Sequence, residues 1–366
     1  MSMTKEPLFH ITRRGNPSLL RNVLVRLAAV VLSLAVCGII IIALTGMNPI
    51  AVYVSLWDGA LGTNRRIWLT LQNTAILLCV SFAVLPAFRM RFWNIGAEGQ
   101  VLIGAWATAA VMIYGSNSLP AWAVYALCPV AAIAAGMLWG VIPAYFKARW
   151  NTNETLFTLM LNYIATQIVT LFIVLWENPK GSNHVGLINS NTRLGWLPVI
   201  GGNNSMLVVL IVAGITLLLF VYMNYTKQGY EIAVVGESEN TARYATINVK
   251  RVLIRTMAIS GALAGIAGYL LTSGIGHTIS AGLAGGRGFT AITVAWLGKL
   301  NPFIMMFVSL FLTFIERGSS QIATVYKLSE SASEILTGII LFFVLGCEFF
   351  INYRVEFRHS HKEVKA

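Results

Sequence analysis

Polar and charged residues interrupt an otherwise apolar sequence in three stretches, and the first is Arg91–Gln100. Gly96 and Gly99 in it permit a turn or a close backbone approach. A carboxylate at bilayer depth costs about 2.5–3.5 kcal/mol, so Glu98 there would face a translocation path or a bonding partner. In an inner loop it would instead sit at a helix N-terminus, where the helix dipole stabilises an acid. The residues alone leave both interpretations open.

The second stretch is Lys227–Asn248, which is long enough to fold by itself. Ser238 is a suitable N-cap for a short helix running to about Thr246. Ala242 and Tyr244 would give that helix some apolar surface, which suits docking to another subunit. The alternative is a solvated loop without a partner, and composition alone favours it.

The third stretch is Gly282–Pro302, whose glycines are too dense for a regular helix. Short apolar runs flank it, and this pattern predicts a broken or re-entrant segment of the kind that marks a transport path. The chain has no GxxxxGK[ST] nucleotide loop. It also has no HExxH motif, paired carboxylates or nucleophile–base pattern. We therefore predict no catalytic residue, no metal site and no cofactor in this chain.

The elements that carry these stretches are predicted to be membrane helices. Of the 366 residues 57% are hydrophobic and 11% are charged, whereas soluble domains carry about 25% charged residues. A span needs about 20 apolar residues, and spans in lipid must be helices. The fold class predicted is all-α, a polytopic transmembrane helical bundle of about ten spans with broken or re-entrant segments. The runs are Val23–Leu44, Ile67–Phe88, Gly96–Tyr114, Trp122–Phe146, Leu156–Trp176, Met206–Met223, Val252–Ser273, Phe289–Leu297, Phe303–Ile315 and Ile335–Phe350.

The basic residues predict the orientation. The net charge is +12, and with ten spans most Lys and Arg residues fall on the side of the N-terminus, as the positive-inside rule requires of the cytoplasm. Both termini are then cytoplasmic, and the charge needs no nucleic acid to explain it. The predicted organisation is a cytoplasmic segment 1–22, a transmembrane domain 23–352 with an external loop 177–204 and an internal loop 224–250, and a cytoplasmic tail 353–366. The four cysteines, Cys37, Cys79, Cys128 and Cys347, are predicted to be small core residues.

The run Phe92–Gln100 resembles the permease subunits of bacterial ABC importers for nucleosides and simple sugars, within the branched-chain amino acid and ribose permease superfamily. Gly229–Asn248 and Gly288–Pro302 agree with that family in order and spacing. The sequence departs from it in three places: Trp93 where Phe is frequent, Ala233 where a basic residue is common, and Thr246 where Gly is common.

The resemblance implies a transport subunit of the bacterial plasma membrane and not an enzyme. Its implied partners are a second homologous permease, a cytoplasmic ABC ATPase that carries ATP and Mg²⁺, and an external solute-binding protein or lipoprotein. The implied solute is a nucleoside, with simple sugars as the alternative. The implied pathway residues are Asn94, Gly96, Glu98, Gly99, Gln100, Gly286, Gly288, Phe289 and Thr290. The implied ATPase-coupling residues are Gly236, Glu237, Glu239, Asn240, Ala242, Arg243, Tyr244 and Asn248.

Two other functions stay open at this stage. The chain could be a proton- or sodium-coupled secondary carrier, with Glu98 as the coupling acid. It could also be a membrane scaffold that transports nothing, which would tolerate substitutions in the glycine-rich bend Gly282–Gly288.

Overall fold

The computed structural model describes residues 9–13, 19–46, 48–327 and 329–357. Residues 1–8 and 14–18 of the predicted N-terminal segment, and residues 358–366 of the predicted tail, lie outside the described residues. The described part is mostly helical. Its thirteen α-helices are α1 (Leu19–Thr45), α2 (Pro49–Leu61), α3 (Asn64–Arg89), α4 (Ala97–Gly115), α5 (Ala121–Trp150), α6 (Glu154–Trp176), α7 (Asn204–Tyr225), α8 (Lys227–Glu237), α9 (Glu239–Tyr244), α10 (Val249–Tyr269), α11 (Arg287–Leu297), α12 (Pro302–Val325) and α13 (Glu330–Asn352).

The predicted helical fold is confirmed, and one short antiparallel ribbon that the sequence did not predict accompanies the helices. Strand β1 (Phe9–Arg13) pairs with β2 (Tyr353–Phe357), with Phe9 opposite Phe357 and Ile11 opposite Val355. Both segments alternate apolar and polar residues, the pattern of a strand. The transmembrane runs dominate the composition, and they conceal this two-residue period at the two ends of the chain.

Among the residues that the structure describes, eight helices are long and apolar enough to cross a membrane, judged by length and composition. They are α1, α3, α5, α6, α7, α10 with its continuation, α12 and α13. The expected number of about ten is therefore not confirmed. The two predicted runs without such a helix are Gly96–Tyr114 and Phe289–Leu297. The first forms α4, whose first turn contains the polar side chains of Glu98 and Gln100. The second forms α11, which has only 11 residues.

The chain divides into two compact units. The first contains the described residues up to Gly62 and those from Ile315 onward. In it α1 packs along α13, and Arg26 forms an ion pair with Glu348 at 2.6 Å. All four cysteines of the chain are free and buried, which confirms their predicted role as core residues.

The second unit, Thr63–Phe314, is built around α10. Helix α10 packs against α3, α4 and α5, and small residues allow the backbones to touch. A Cβ on Gly104 would lie 2.6 Å from the Cα of Gly265, and a Cβ on Gly140 would lie 2.6 Å from the carbonyl oxygen of Met257. Such close approach is typical of membrane helices, which associate through packing and not through a hydrophobic force.

Helix α10 ends in the broken segment that the glycines predicted. A π-helical turn, Leu270–Gly276, continues α10, and the chain is then non-helical through Gly286, the N-cap residue of α11. The predicted external loop packs on this end: Leu197 N–H donates to the Ser273 carbonyl at 2.9 Å, and Trp196 stacks on His277 with ring centroids 3.8 Å apart. The loop thus holds the start of the break in place.

Candidate functional site

The carboxylate of Glu98 joins the first and third polar stretches of the sequence. Glu98 lies in the first turn of α4, and its Oε1 accepts from the backbone N–H of Gly286 at 2.7 Å. Its Oε2 accepts from the N–H of Gly288 at 2.6 Å. Both donors belong to the N-terminus of α11, where unpaired N–H groups and the helix dipole favour an anion. We call Glu98, Gly286 and Gly288 the Glu98 clasp.

The clasp needs glycine on the α11 side. A Cβ on Gly288 would lie 2.5 Å from the backbone nitrogen of Glu98, so α4 and α11 meet backbone to backbone. Gly286 has a φ of +73°, a conformation that side-chain-bearing residues rarely adopt. Between them, Arg287 donates to Asn73 Oδ1 on α3 at 3.2 Å. The glycine bend is therefore fixed to two helices.

Asn94 organises the turn before α4 and is fully buried. Its Oδ1 accepts from Gly96 N–H at 3.0 Å, and its amide donates to Ser260 Oγ on α10 at 3.0 Å. Ser260 in turn donates to the carbonyl of Ala83 on α3 at 2.5 Å. Gln100 contacts the Asn94 amide at 3.4 Å. Each of these buried polar groups has a partner, as burial in an apolar region requires.

Helix α6 holds the same turn from the other side. Asn162 Oδ1 accepts from Gly99 N–H at 2.8 Å, and its amide donates to the Ile95 carbonyl at 2.9 Å. Thr158 Oγ1 accepts from Ile95 N–H at 3.2 Å. One asparagine therefore satisfies a donor and an acceptor of the irregular backbone, which explains how such backbone is tolerated between membrane helices.

The structure brings most of the predicted pathway residues together. Asn94, Gly96, Glu98, Gly99 and Gln100 form one network, and Glu98 links it to Gly286 and Gly288. Two other predicted residues lie on α11: Phe289 is 46% exposed, and the Thr290 hydroxyl donates to the Gly286 carbonyl at 3.3 Å. Asn73 and Asn162 also form bonds between helices, the common role of amide side chains inside membrane spans. Sequence reasoning missed Thr158 and Ser260, whose hydroxyls look ordinary in apolar helices.

An aromatic recess of about 210 Å³ lies beside this network. Trp93 and Trp296 approach to 5.8 Å between ring centroids, and Phe88 lies 5.5 Å from Trp93. Both tryptophans are about half exposed. The recess is a surface feature, whereas the Glu98 clasp is partly buried between α4 and α11.

The predicted ATPase-coupling residues lie on α8, α9 and the turn that follows, Gly236–Asn248, which we call the coupling segment. Ser238 caps α9 by accepting from Thr241 N–H at 3.3 Å, as predicted; the helix ends at Tyr244, two residues before the predicted end. Ala242 is buried, whereas Tyr244 is 91% exposed. Glu237 and Asn240 are exposed too.

The base of the coupling segment is tied down at both ends. Gly236 is buried against the Arg89 carbonyl at the end of α3, and Asn248 caps α10 by accepting from Arg251 N–H at 3.1 Å. Between them Thr246 has a φ of +60°, in the left-handed region that favours glycine. That conformation explains physically why glycine suits this position.

The described residues contain no group of three or more His, Cys, Asp or Glu side chains that could hold a metal ion. The Glu98 clasp offers a carboxylate already occupied by two backbone donors, so it suits positioning of a helix and not acid–base chemistry.

Comparison with protein families matches residues 64–345 to a model described as the branched-chain amino acid transport system, permease component. The matched range covers the clasp and the coupling segment. It leaves out α1 and α2 and ends within α13.

Three relatives match along most of their length. The chain is 31% identical to the nucleoside ABC transporter permease protein NupB of Lactococcus lactis, over 88% of this chain and 91% of that protein. It is 31% identical to the guanosine ABC transporter permease protein NupP of Bacillus subtilis, over 89% and 93%. It is 28% identical to the glucose ABC transporter permease protein TsgB13 of Haloferax volcanii, over 89% and 88%.

Proposed function

This chain belongs to the branched-chain amino acid transport permease family, and from that membership we propose that it is the membrane-spanning permease of an ABC importer for nucleosides. The assignment of the solute rests on the similarity to two permeases named for a nucleoside and for guanosine, at 31% identity over almost their whole length. The glucose permease relative keeps simple sugars as the second candidate.

The pathway runs beside the Glu98 clasp, bordered by the predicted residues from Asn94 to Gln100 and from Gly286 to Thr290. Two observations support this position. Irregular backbone at Asn94–Gly96 and before α11 survives among membrane helices only inside protein or beside a wet cavity. The paired N-termini of α4 and α11 also resemble the discontinuous helices from which transporters build their solute sites.

The clasp favours the hypothesis of ATP-driven transport and argues against a proton- or sodium-coupled carrier. A coupling acid must release and rebind its cation, whereas both oxygens of Glu98 accept from backbone N–H groups at 2.6–2.7 Å. The energy then comes from ATP and Mg²⁺ bound to a separate cytoplasmic ATPase. That ATPase docks on the coupling segment, where Tyr244 projects into solvent.

The remaining partners follow from the same proposal. A second homologous permease completes the pathway, and an external solute-binding protein or lipoprotein delivers the nucleoside. The protein spans the bacterial inner membrane about ten times with both termini in the cytoplasm, the eight long helices being supplemented by α4 and α11. Cysteine labelling of Ser118 and of Asn240 in intact cells checks this: Ser118 should be labelled from outside and Asn240 only after the cells are opened.

The transport test uses vesicles that contain this chain, its sister permease and the ATPase. We expect radiolabelled guanosine supplied with the binding protein to accumulate only when ATP is enclosed with the ATPase, and excess unlabelled nucleoside to compete better than glucose. Accumulation driven by a proton gradient without ATP would overturn the proposal. Competition by glucose alone would transfer the assignment to sugars.

A further inference from the structure

A basic cavity of about 770 Å³ opens on the second unit, where α5 ends beside α9 and the start of α10. Its wall has an excess of positive charge, and no pathway residue lines it. The ionisable side chains that line the cavity are four cations and one acid: Lys147, Arg149, Arg243, Lys250 and Glu239.

Two of the four cations are already paired. Lys147 lies 2.9 Å from the carboxylate of Glu154, and Arg243 lies 3.6 Å from Glu239 across one turn of α9. The other two cations are exposed and form no ion pair within the part of the chain that the structure describes; they are Arg149 and Lys250. The cavity therefore presents two positive charges that an anion could neutralise.

Aromatic side chains mark this end of α5 as a membrane–water interface. Phe146 packs against Trp150 at 5.2 Å and against Phe157 at 4.9 Å between ring centroids. Tyr145 packs edge-on against Trp150 at 6.0 Å, and Trp150 is 60% exposed. Trp and Tyr concentrate at the depth of lipid headgroups, so the cavity lies where a phosphate headgroup would be.

An apolar groove of about 480 Å³ starts at the next residue along the chain. The basic cavity includes Asn151, and the groove runs along α6 from Thr152. Three of its side chains, Leu156, Met160 and Ile164, follow each other at four-residue spacing, the spacing of one helix face. All three are about half exposed.

We propose that the cavity and the groove form one binding site for an anionic glycerophospholipid of the inner leaflet. The phosphate lies at Arg149 and Lys250, and one acyl chain lies along Leu156, Met160 and Ile164. Basic pockets between membrane helices bind acidic headgroups, and the groove supplies the apolar surface that a soluble phosphate would not use. Because the cavity borders α9, the lipid would contact the base of the coupling segment.

Native mass spectrometry of the purified full chain tests this, with phosphatidylglycerol and phosphatidylcholine offered at equal concentration. We expect the wild type to retain phosphatidylglycerol in preference to phosphatidylcholine. The double variant R149Q/K250Q should weaken that retention roughly thirtyfold, because each cation near the membrane surface contributes to the attraction. The matched control R65Q/K180Q removes two exposed charges elsewhere and should leave retention unchanged. Equal retention of both lipids by the wild type would overturn the proposal.

A groove variant, a soluble competitor and a co-purification with the ATPase separate the other possible occupants. Met160→Trp should fill the groove and release the lipid while Arg149 and Lys250 remain. If glycerol phosphate displaces the lipid at equal concentration, the site binds phosphate and the lipid assignment is wrong. If R149Q/K250Q loses the ATPase on co-purification while lipid retention is unchanged, the cavity is an ATPase contact and the proposal fails. These lipid measurements do not involve transport, so they are independent of the proposed solute.

Discussion

The Glu98 clasp and the coupling segment look alike in sequence, since each is a polar interruption of an apolar chain, but the structure uses them in opposite ways. In the clasp and its surroundings, the hydrogen bonds join residues far apart, such as Glu98 and Gly288 or Asn94 and Ser260. In the coupling segment the bonds are local, such as Ser238 with Thr241. Long-range bonds determine how helices meet, whereas local bonds shape a surface and leave its side chains free.

The contrast predicts which property a substitution in each region should change. Removing the partner of a buried polar group lowers the free energy of unfolding, because the remaining group is left unsatisfied. Exposed side chains on a locally capped helix contribute little to stability. Damage to the clasp should therefore appear in the free energy of unfolding, and damage to the coupling segment should appear in ATP-driven transport.

The largest effect is expected for Glu98→Ala. It leaves two N–H groups of α11 without an acceptor, and each bond to a charged group contributes about 1.5–3 kcal/mol. We expect the free energy of unfolding in mixed micelles to fall by about 3 kcal/mol. Glu237→Ala, an exposed acid at the start of the coupling segment, is the control and should change it by less than about 0.5 kcal/mol. Equal effects of the two variants would remove the contrast between the regions.

The next effect is expected for Gly288→Ala. The added methyl group would lie 2.5 Å from the Glu98 nitrogen, and overpacking of this kind costs about 1–3 kcal/mol. The same unfolding assay measures it. Gly282→Ala is a matched control in the same bend, since a Cβ there has no atom within 4 Å. If both variants unfold like the wild type, α4 and α11 are not in backbone contact.

In the coupling segment, Thr246→Gly is expected to stabilise the protein. A side-chain-bearing residue in the left-handed region costs about 1–2 kcal/mol, which glycine avoids while adding some unfolded-state entropy. The predicted net gain is about 0.5–1 kcal/mol in the free energy of unfolding. Thr241→Gly, inside α9, should have the opposite sign because glycine weakens a helix. A loss of stability in Thr246→Gly would show that its backbone is not strained.

The smallest effect on stability is expected for Tyr244→Ala. The side chain is 91% exposed, so the free energy of unfolding should change by less than about 0.5 kcal/mol. ATP-driven uptake in reconstituted vesicles should still fall roughly tenfold, because aromatic anchors dominate many interfaces. Tyr163→Ala, an exposed tyrosine on α6, should leave uptake unchanged. Normal uptake in Tyr244→Ala would move the ATPase contact away from this helix tip.

Much of the local structure could be predicted from the sequence. The N-cap at Ser238, the break before α11 and the bonding roles of Asn73 and Asn162 follow from residue type and from the scarcity of polar groups in apolar helices. The number of long spans and the β1–β2 ribbon did not follow. A run such as Phe289–Leu297 has the composition of a span, but its length as a helix depends on where α11 packs.

Composition and local motifs are enough to identify a polytopic membrane protein, the polar stretches that could matter, and the family that the motifs resemble. Those properties are local, because composition, caps and helix breakers act within a few residues. The packing of the helices was needed to identify Gly286 and Gly288, nearly two hundred positions later, as the partners of Glu98. A carboxylate can accept from any exposed helix N-terminus, and the packing of α4 on α11 selects which one it meets.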